Sequence, residues 1–311
     1  MLAPLRRKPK RLDEAPALYR SGGGAPVVVD LAGGLPGPAG DGPAGGQGVL
    51  VTSARSQLRD LDRLLEDEPV DREVAALARR IARRLAVRRR PREVRGERGA
   101  GRLASVPYRY RSDDIDLDRT IEVLTERPVP EDADIVVRER MRPRQAVALV
   151  VDVSGSMRGE KVRTAAATVG ALSADLADDR LAVVAFWSDA AVLTPLDAPV
   201  TGHQVLDALL RIRARGLTNV HFALAVAHAE LHRSAARRRT AVLLTDAVHN
   251  AGPDPRPLAR RFDELHVLLQ ADGEHDAPLA ADLARLGRGR LARVHTHRDV
   301  APALNRMFAG R

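Results

Sequence analysis

The C-terminal half of the chain alternates between short, continuous apolar runs and longer amphipathic stretches. Residues 146–151 are six apolar residues in succession, which predicts a strand buried on both faces. Similar runs follow at 181–186, 191–193, 241–245, 265–269 and 291–294, and helical stretches lie at 162–176, 203–212 and 220–232. Strands that alternate with helices predict an α/β fold, with a doubly wound, mostly parallel sheet flanked by helices as in Rossmann-like proteins.

The N-terminal half has a weaker and different pattern. Residues 1–48 are rich in Gly and Pro, so we expect a disordered tail in which only residues 26–29 could form a short strand. Residues 49–105 predict a basic helical region that ends in a charged linker at 91–101. Its apolar residues repeat at helical spacing in two stretches, first at Leu58, Leu61 and Leu65 and then at Val74, Leu77, Ile81 and Leu85.

A helix at 116–124 and a strand at 134–138 follow the linker. We interpret residues 106–142 as a lead-in and residues 143–311 as the α/β domain itself. The predicted organisation is therefore a tail, a helical region, a lead-in and one large domain.

Composition narrows the classes of protein that the pattern allows. The chain has no Cys, which excludes disulfides, thiolate metal sites and Cys nucleophiles. No apolar stretch has the length of a signal peptide or of a membrane helix, so we expect a cytoplasmic protein without membrane contact. The net charge of +9 is carried mostly by Arg, and Arg is frequent along the whole chain, so charge alone says little about partners.

Short oxygen-bearing side chains follow several of the predicted strands. Asp152, Ser154 and Ser156 come directly after the first buried run, Thr218 lies in a loop between two predicted helices, and Asp246 ends the run at 241–245. In a sheet of this type ligands bind beyond the carboxyl ends of the strands. Carboxylates and hydroxyls are ligands for a hard cation, so we predict a site for Mg²⁺ (or Mn²⁺).

This motif resembles the metal-ion-dependent adhesion site (MIDAS) of von Willebrand factor A domains, and the likeness covers about residues 143–311. The resemblance implies that Ser154, Ser156 and Thr218 contact the metal while Asp152 and Asp246 act largely through water. It also implies a non-catalytic interaction module whose metal binds an Asp or Glu carboxylate of a protein partner. One departure is the alanine at position 247, where the family usually has glycine.

The charged segments ahead of the domain, 114–120 and 135–140, make the chain similar to bacterial CoxE-like, MoxR-associated proteins. That resemblance implies a separate AAA+ ATPase as partner in the assembly or activation of a target complex. The chain has no phosphate-binding loop of the G-x-x-x-x-G-K-[ST] type, so ATP hydrolysis would come from the partner. A chelatase-like subunit that assists ATP-dependent metal insertion is the alternative, and we expect no enzyme activity of the chain itself.

Histidine pairs and Ser156 offer other chemistry. His228 and His232 have the i, i+4 spacing of zinc ligands, but the sequence shows no third ligand in register. His295 and His297 lie on one side of a predicted strand or its exit, and we do not expect a zinc site there either. Ser156 as an acyl nucleophile would need a neighbouring His and an oriented carboxylate, but the residues around it are typical of a metal site, so we do not expect hydrolase chemistry.

The Arg-rich stretch 79–92 allows three interpretations. A solvated helix face explains it most simply, and docking against an acidic surface of the ATPase or of the α/β domain is a second possibility. Nucleic-acid binding is the third and is favoured only by the interleaved aromatic and basic residues at 108–111, since single-strand binding usually adds aromatic residues.

Overall fold

A computed structural model of the chain contains ten strands and eight helices among the residues that it describes. These residues are 5, 8–10, 12, 14–20, 57–66, 72–87, 97–108, 114–126, 134–142, 145–154, 160–175, 180–198, 202–212 and 216–308. The strands are β1 (Ala17–Arg20), β2 (Gln57–Asp60), β3 (Glu97–Pro107), β4 (Val136–Arg142), β5 (Gln145–Asp152), β6 (Arg180–Phe186), β7 (Ala190–Thr194), β8 (Arg238–Thr245), β9 (Glu264–Gln270) and β10 (Arg288–Val294). The helices are α1 (Arg72–Val87), α2 (Leu117–Glu126), α3 (Glu160–Asp175), α4 (Gly202–Arg211), α5 (Val220–His232), α6 (Arg256–Ala259), α7 (Ala277–Leu286) and α8 (Val300–Phe308).

Eight strands form one mixed, mostly parallel sheet in the order β10-β9-β8-β5-β6-β7-β1-β2. β5 pairs in parallel with both β6 and β8, and β7 runs antiparallel to β6. β3 and β4 form a separate antiparallel pair. The predicted fold class is confirmed, and every strand and helix predicted from residue 134 onwards is present.

Alternate residues of β5 face opposite layers of helices. Val147, Leu149 and Val151 belong to the same apolar cluster as residues of α3, α4 and α8. Ala148 and Val150 belong to the cluster that contains residues of α5 and α7. Both faces of the strand are therefore buried, which explains why its sequence is continuously apolar rather than alternating.

Helix α1 adds a further layer outside α3 and α4. Ala75, Ala78 and Ala82 are buried in a small cluster with residues of both helices. Arg79 donates to Asp207 of α4 at 2.7 Å, so this arginine lies on an acidic residue of the α/β domain. Of the three interpretations of the Arg-rich stretch, docking on the domain itself therefore holds for Arg79.

Three N-terminal expectations were wrong. The tail predicted over 1–48 contributes Ala17–Arg20 as the buried strand β1. This strand forms because the edge of β7 provides backbone hydrogen-bond partners. The predicted helix that contains Leu58, Leu61 and Leu65 is instead β2 and a 3-10 turn at Leu61–Arg63, where Leu61 still faces the core. The linker predicted over 91–101 overlaps the start of β3. The strand predicted at 26–29 lies outside the described residues.

None of the helices in the described ranges has the length and apolar character required to cross a membrane.

Candidate metal centre

Three loops meet at the carboxyl edge of the central strands. Asp152 is the last residue of β5, and Ser154 follows it by two positions. Thr218 precedes the first turn of α5, and Asp246 follows the last residue of β8. Because β5 and β8 are adjacent and parallel, their carboxyl ends place these residues at one point of the sheet edge.

The carboxylate of Asp152 is the centre of a hydrogen-bonded chain. Its Oδ1 accepts from the backbone N–H of Ser154 at 2.9 Å and from the Ser154 hydroxyl at 2.5 Å. Its Oδ2 accepts from the Thr245 hydroxyl at 2.6 Å. The Thr218 hydroxyl donates to Ser154 Oγ at 2.7 Å, so Asp152, Ser154 and Thr218 are directly connected.

Asn250 fixes the loop that carries Thr218 and was missed by the sequence analysis. Its side-chain Oδ1 accepts from the Thr218 N–H at 2.7 Å, and its own N–H donates to the Thr218 carbonyl at 3.2 Å. The N–H of Lys10, from the N-terminal segment, donates in turn to the Asn250 carbonyl at 2.8 Å. No spacing signal in the sequence connects residues 10, 218 and 250, because only the fold brings them together.

Asp246 is held by a lysine of α3 and by its own loop. Lys161 Nζ lies 2.9 Å from Asp246 Oδ2, and the Val248 N–H donates to Asp246 Oδ1 at 3.0 Å. Ala247 between them has a φ of 62°, the left-handed conformation that glycine adopts most easily. The glycine that the resemblance implied at this position would adopt this φ more easily, and this chain forms the loop with alanine.

The electrostatics of the site favour a cation. Asp152 is buried with 7% of its surface exposed. Burial, followed by the negative charge of Asp246, raises the pKa of Asp152 to about 6, against the hydrogen bonds from Ser154 and Thr245, which lower it. Lys161 neutralises part of the charge of Asp246, whereas the hydrogen-bond donors to Asp152 are neutral. A divalent ion would supply positive charge beside this buried carboxylate.

The donor set fits a hard divalent ion. The groups that the structure brings together are carboxylate and hydroxyl oxygens, the ligand type that Mg²⁺ and Mn²⁺ prefer. Ser154 and Thr218 would hold the ion, with Asp152 and Asp246 as the neighbouring negative charges. The fifth predicted residue, Ser156, lies outside the described residues.

The histidine candidates do not form a metal site. Among the described residues, no group of three or more His, Asp or Glu side chains is arranged to hold an ion. His228 and His232 instead stack, with ring centroids 3.9 Å apart, and His228 also contacts the ring of Phe262 edge-on.

Comparisons with known proteins identify part of this region. Residues 147–249 match the family model described as the von Willebrand factor type A domain. The match ends three residues beyond Asp246 and includes every candidate ligand. No curated protein matches the chain significantly.

Several solved structures are similar to part of the chain at low identity. An aerotolerance-related membrane protein from Bacteroides fragilis is 17% identical, with a TM-score of 0.44, over 52% of this chain and 97% of that one. A von Willebrand factor type A protein from Catenulispora acidiphila is 21% identical, with a TM-score of 0.44, over 55% of this chain and 43% of that one. Proximal thread matrix protein 1 from the mussel byssus, described with a zinc-occupied MIDAS motif, is 13% identical, with a TM-score of 0.45, over 53% of this chain and 47% of that one. The match with this chain spans less than half the length of the last two proteins.

Proposed function

We propose that this chain, through its von Willebrand factor type A domain, is a non-catalytic module that binds a protein partner through a divalent metal ion. Mg²⁺ or Mn²⁺ would lie at the carboxyl edge of β5 and β8, with Ser154 and Thr218, and Ser156 from the motif, as hydroxyl ligands. An Asp or Glu carboxylate of the partner would complete the coordination of the ion.

The observation that carries this proposal is the connected set Asp152, Ser154 and Thr218 beside Asp246. Hydroxyl ligands are neutral, so an ion that they hold retains much of its charge and attracts a further carboxylate. The carboxylate of Asp152 accepts three hydrogen bonds. One of them comes from the Ser154 hydroxyl, whose oxygen in turn accepts from the Thr218 hydroxyl. When bound, the ion supplies electrostatic attraction, while the residues of the chain supply the shape of the site.

We further propose a MoxR-type AAA+ ATPase as the partner, in the cytoplasm. Support comes from the resemblance of segments 114–120 and 135–140 to CoxE-like proteins and from the lack of a phosphate-binding loop in the chain. In the first of these segments Asp116 accepts from the Ser105 hydroxyl at 2.6 Å and also from Arg138. These hydrogen bonds, of which the one from Ser105 has the largest effect, hold the pKa of Asp116 below its ordinary value. They also connect the residue before α2 to the β3–β4 pair, so part of the charged pattern has a structural role.

The test is an affinity capture from native cell extract with Mg²⁺ or with EDTA, using the wild type, Asp152→Ala and Ser154→Ala. Ser154→Ala removes one hydroxyl and leaves the hydrogen bond from Thr245 to Asp152 intact, so we expect it to perturb the fold less than Asp152→Ala does. Asp272→Ala is the matched control, because Asp272 is exposed in the loop that follows the neighbouring strand β9.

We expect the wild type and Asp272→Ala to capture the same protein in Mg²⁺ and to release it in EDTA. Both site variants should retain the wild-type circular dichroism spectrum and capture nothing. Capture that is indifferent to EDTA and to both site variants contradicts the proposal. Identification of an AAA+ ATPase by mass spectrometry supports the second part of the proposal, and a captured protein without an ATPase domain overturns that part alone.

A further inference from the structure

A groove of about 410 Å³ lies between α1, α3 and the turn that follows β10. It is separate from the candidate metal ligands, since none of them lines it. Its lining residues are Leu77, Arg80, Ile81, Arg163, His297 and Arg298.

The rim of the groove is cationic. Arg80 and Arg298 are exposed, one on α1 and one on the turn, and the half-buried Arg163 of α3 lies between these elements. Among the described residues that line the groove, none is acidic. The nearest acidic side chain in sequence, Asp299, accepts from the backbone N–H groups of His295 and Thr296, so its charge is already engaged.

The floor of the groove is aliphatic. Leu77 and Ile81 are one helical turn apart on α1 and are partly buried, so they present an apolar surface between the arginines. A volume of this size lies within the range of about 300–1,000 Å³ that ligand pockets have. The groove therefore combines an apolar contact with several positive charges, which is the complement of an acidic segment with aliphatic side chains.

We propose that this groove binds an acidic peptide segment of a protein partner, with an aliphatic side chain on Leu77 and Ile81 and carboxylates at Arg80, Arg163 and Arg298. The net charge of +9 favours the approach of such a partner. A nucleic acid fits less well, because among the described residues no Phe, Tyr or Trp side chain lines the groove to stack with bases.

The groove proposal is independent of the metal site, and its test is performed in EDTA. The probe is a short fluorescein-labelled peptide in which Asp and Leu alternate, and binding is measured by fluorescence anisotropy. The groove variant is the double substitution Arg80→Glu and Arg298→Glu, which changes only exposed side chains. Arg260→Glu is the matched control, because Arg260 is also exposed but lies on the opposite side of the sheet, after α6.

We expect the peptide to bind the wild type and Arg260→Glu equally and to bind the groove variant roughly tenfold more weakly, because two favourable charge contacts become repulsive. A peptide in which Ser replaces each Leu should bind the wild type more weakly, since it cannot use the apolar floor. Equal binding of the probe to the groove variant overturns the proposal, and so does equal binding of the Ser and Leu peptides. Tighter binding of a single-stranded DNA oligonucleotide that depends on the same two arginines overturns it in favour of nucleic acid.

Discussion

At the scale of single residues, Ala247 shows how far the metal loop departs from ordinary backbone geometry. Its φ of 62° places it in the left-handed region, which costs a non-glycine residue about 1–2 kcal/mol. Its methyl group is fully buried in the core, and alanine also has a less flexible unfolded state than glycine. Each of these two terms recovers up to about 1 kcal/mol, so alanine is tolerated.

Ala247→Gly is therefore expected to leave the free energy of unfolding within about 1 kcal/mol of the wild-type value. The relief of backbone strain is nearly cancelled by the loss of the buried methyl group and by the greater flexibility of the unfolded chain. Ala247→Val adds a β-branched side chain at the same φ in a packed site, and we expect a loss of about 2 kcal/mol or more. Urea unfolding of both variants measures these differences. A valine variant as stable as the glycine variant would show that the loop is not constrained.

The sequence could predict that Asp152, Ser154, Thr218 and Asp246 meet at one edge of the sheet, because each lies in a loop next to a recognisable strand or helix. It could not predict Asn250 or Lys161, whose contacts with Thr218 and Asp246 exist only after separate loops and helices have packed. Residues that position ligands are in this respect harder to predict than the ligands themselves.

At the scale of secondary-structure elements, the contact between α1 and α3 is close enough to exclude a side chain. A Cβ atom on Gly170 of α3 would lie 2.7 Å from the Cα and 2.9 Å from the carbonyl oxygen of Ala82 on α1. Both atoms belong to the backbone and cannot rotate away.

We expect Gly170→Ala to lower the free energy of unfolding by about 1–2 kcal/mol. Overpacking against backbone atoms costs about 2–3 kcal/mol, and the better helix propensity of alanine offsets about 1 kcal/mol of it. Gly273→Ala is the control, since nothing lies within 4 Å of its added Cβ. Thermal unfolding should show a lower Tm for the first variant only, and an unchanged Tm for Gly170→Ala would mean that α1 does not pack on α3 as described.

Helix α5 carries a histidine that stays neutral in the fold. Burial, followed by the nearby charges of His232 and Arg261, lowers the pKa of His228 to about 4. In the unfolded chain the value is about 6.5, so between these two pH values the unfolded state binds more protons. The stability that neutral His228 contributes is complete above pH of about 6.5 and declines as the pH falls towards about 4.

Between pH 7.5 and pH 5 we expect the wild type to lose on the order of 1–2 kcal/mol more stability than His228→Gln, which cannot be protonated. The measurement is the urea midpoint of both proteins at the two pH values. The comparison cancels other titrating groups such as His249, whose pKa burial also lowers. Parallel declines in the two proteins would contradict the assignment to His228.

The strands that are buried on both faces could be predicted, because such burial requires a continuous apolar sequence. The strands that form only because they pair with the edge of the sheet could not be predicted. β5, β6 and β8 are continuous apolar runs and were predicted from composition. Residues 17–20 and 57–60 carry no such run, because they lie at the end of the sheet and gain their strand conformation from the neighbouring edge. Leu58, Leu61 and Leu65 have the spacing of a helix face, but Leu58 belongs to β2 and Leu61 to the 3-10 turn. Their spacing therefore does not reflect one continuous helix.

At the scale of the whole molecule, a buried ion pair fastens the N-terminal strand to the α/β domain. Arg20 of β1 lies 2.7 Å from Glu230 of α5, and the two side chains are 6% and 0% exposed. Arg233 approaches the same carboxylate oxygen at 3.4 Å from the partly exposed end of the helix.

We expect Arg20→Ala to destabilise the protein by about 2–4 kcal/mol, because it leaves the carboxylate of Glu230 buried with only the longer contacts to Arg233 and to the Leu196 N–H. Arg59→Ala on the adjacent strand β2 is the control; Arg59 is exposed, so its loss should destabilise the protein much less than the loss of Arg20. Urea unfolding of both variants provides the comparison. Similar small losses for both would mean that β1 is not integrated into the domain.

The central claim is that the carboxyl edge of β5 and β8 binds a divalent ion, and Mn²⁺ titration followed by electron paramagnetic resonance tests it directly. For the wild type we predict a single saturable class of bound Mn²⁺ that Mg²⁺ displaces. For Ser154→Ala and Asp152→Ala we predict a complete or near-complete loss of that binding, with an unchanged circular dichroism spectrum. Free Mn²⁺ throughout the titration of the wild type, or equal binding by the wild type and both variants, would contradict the account.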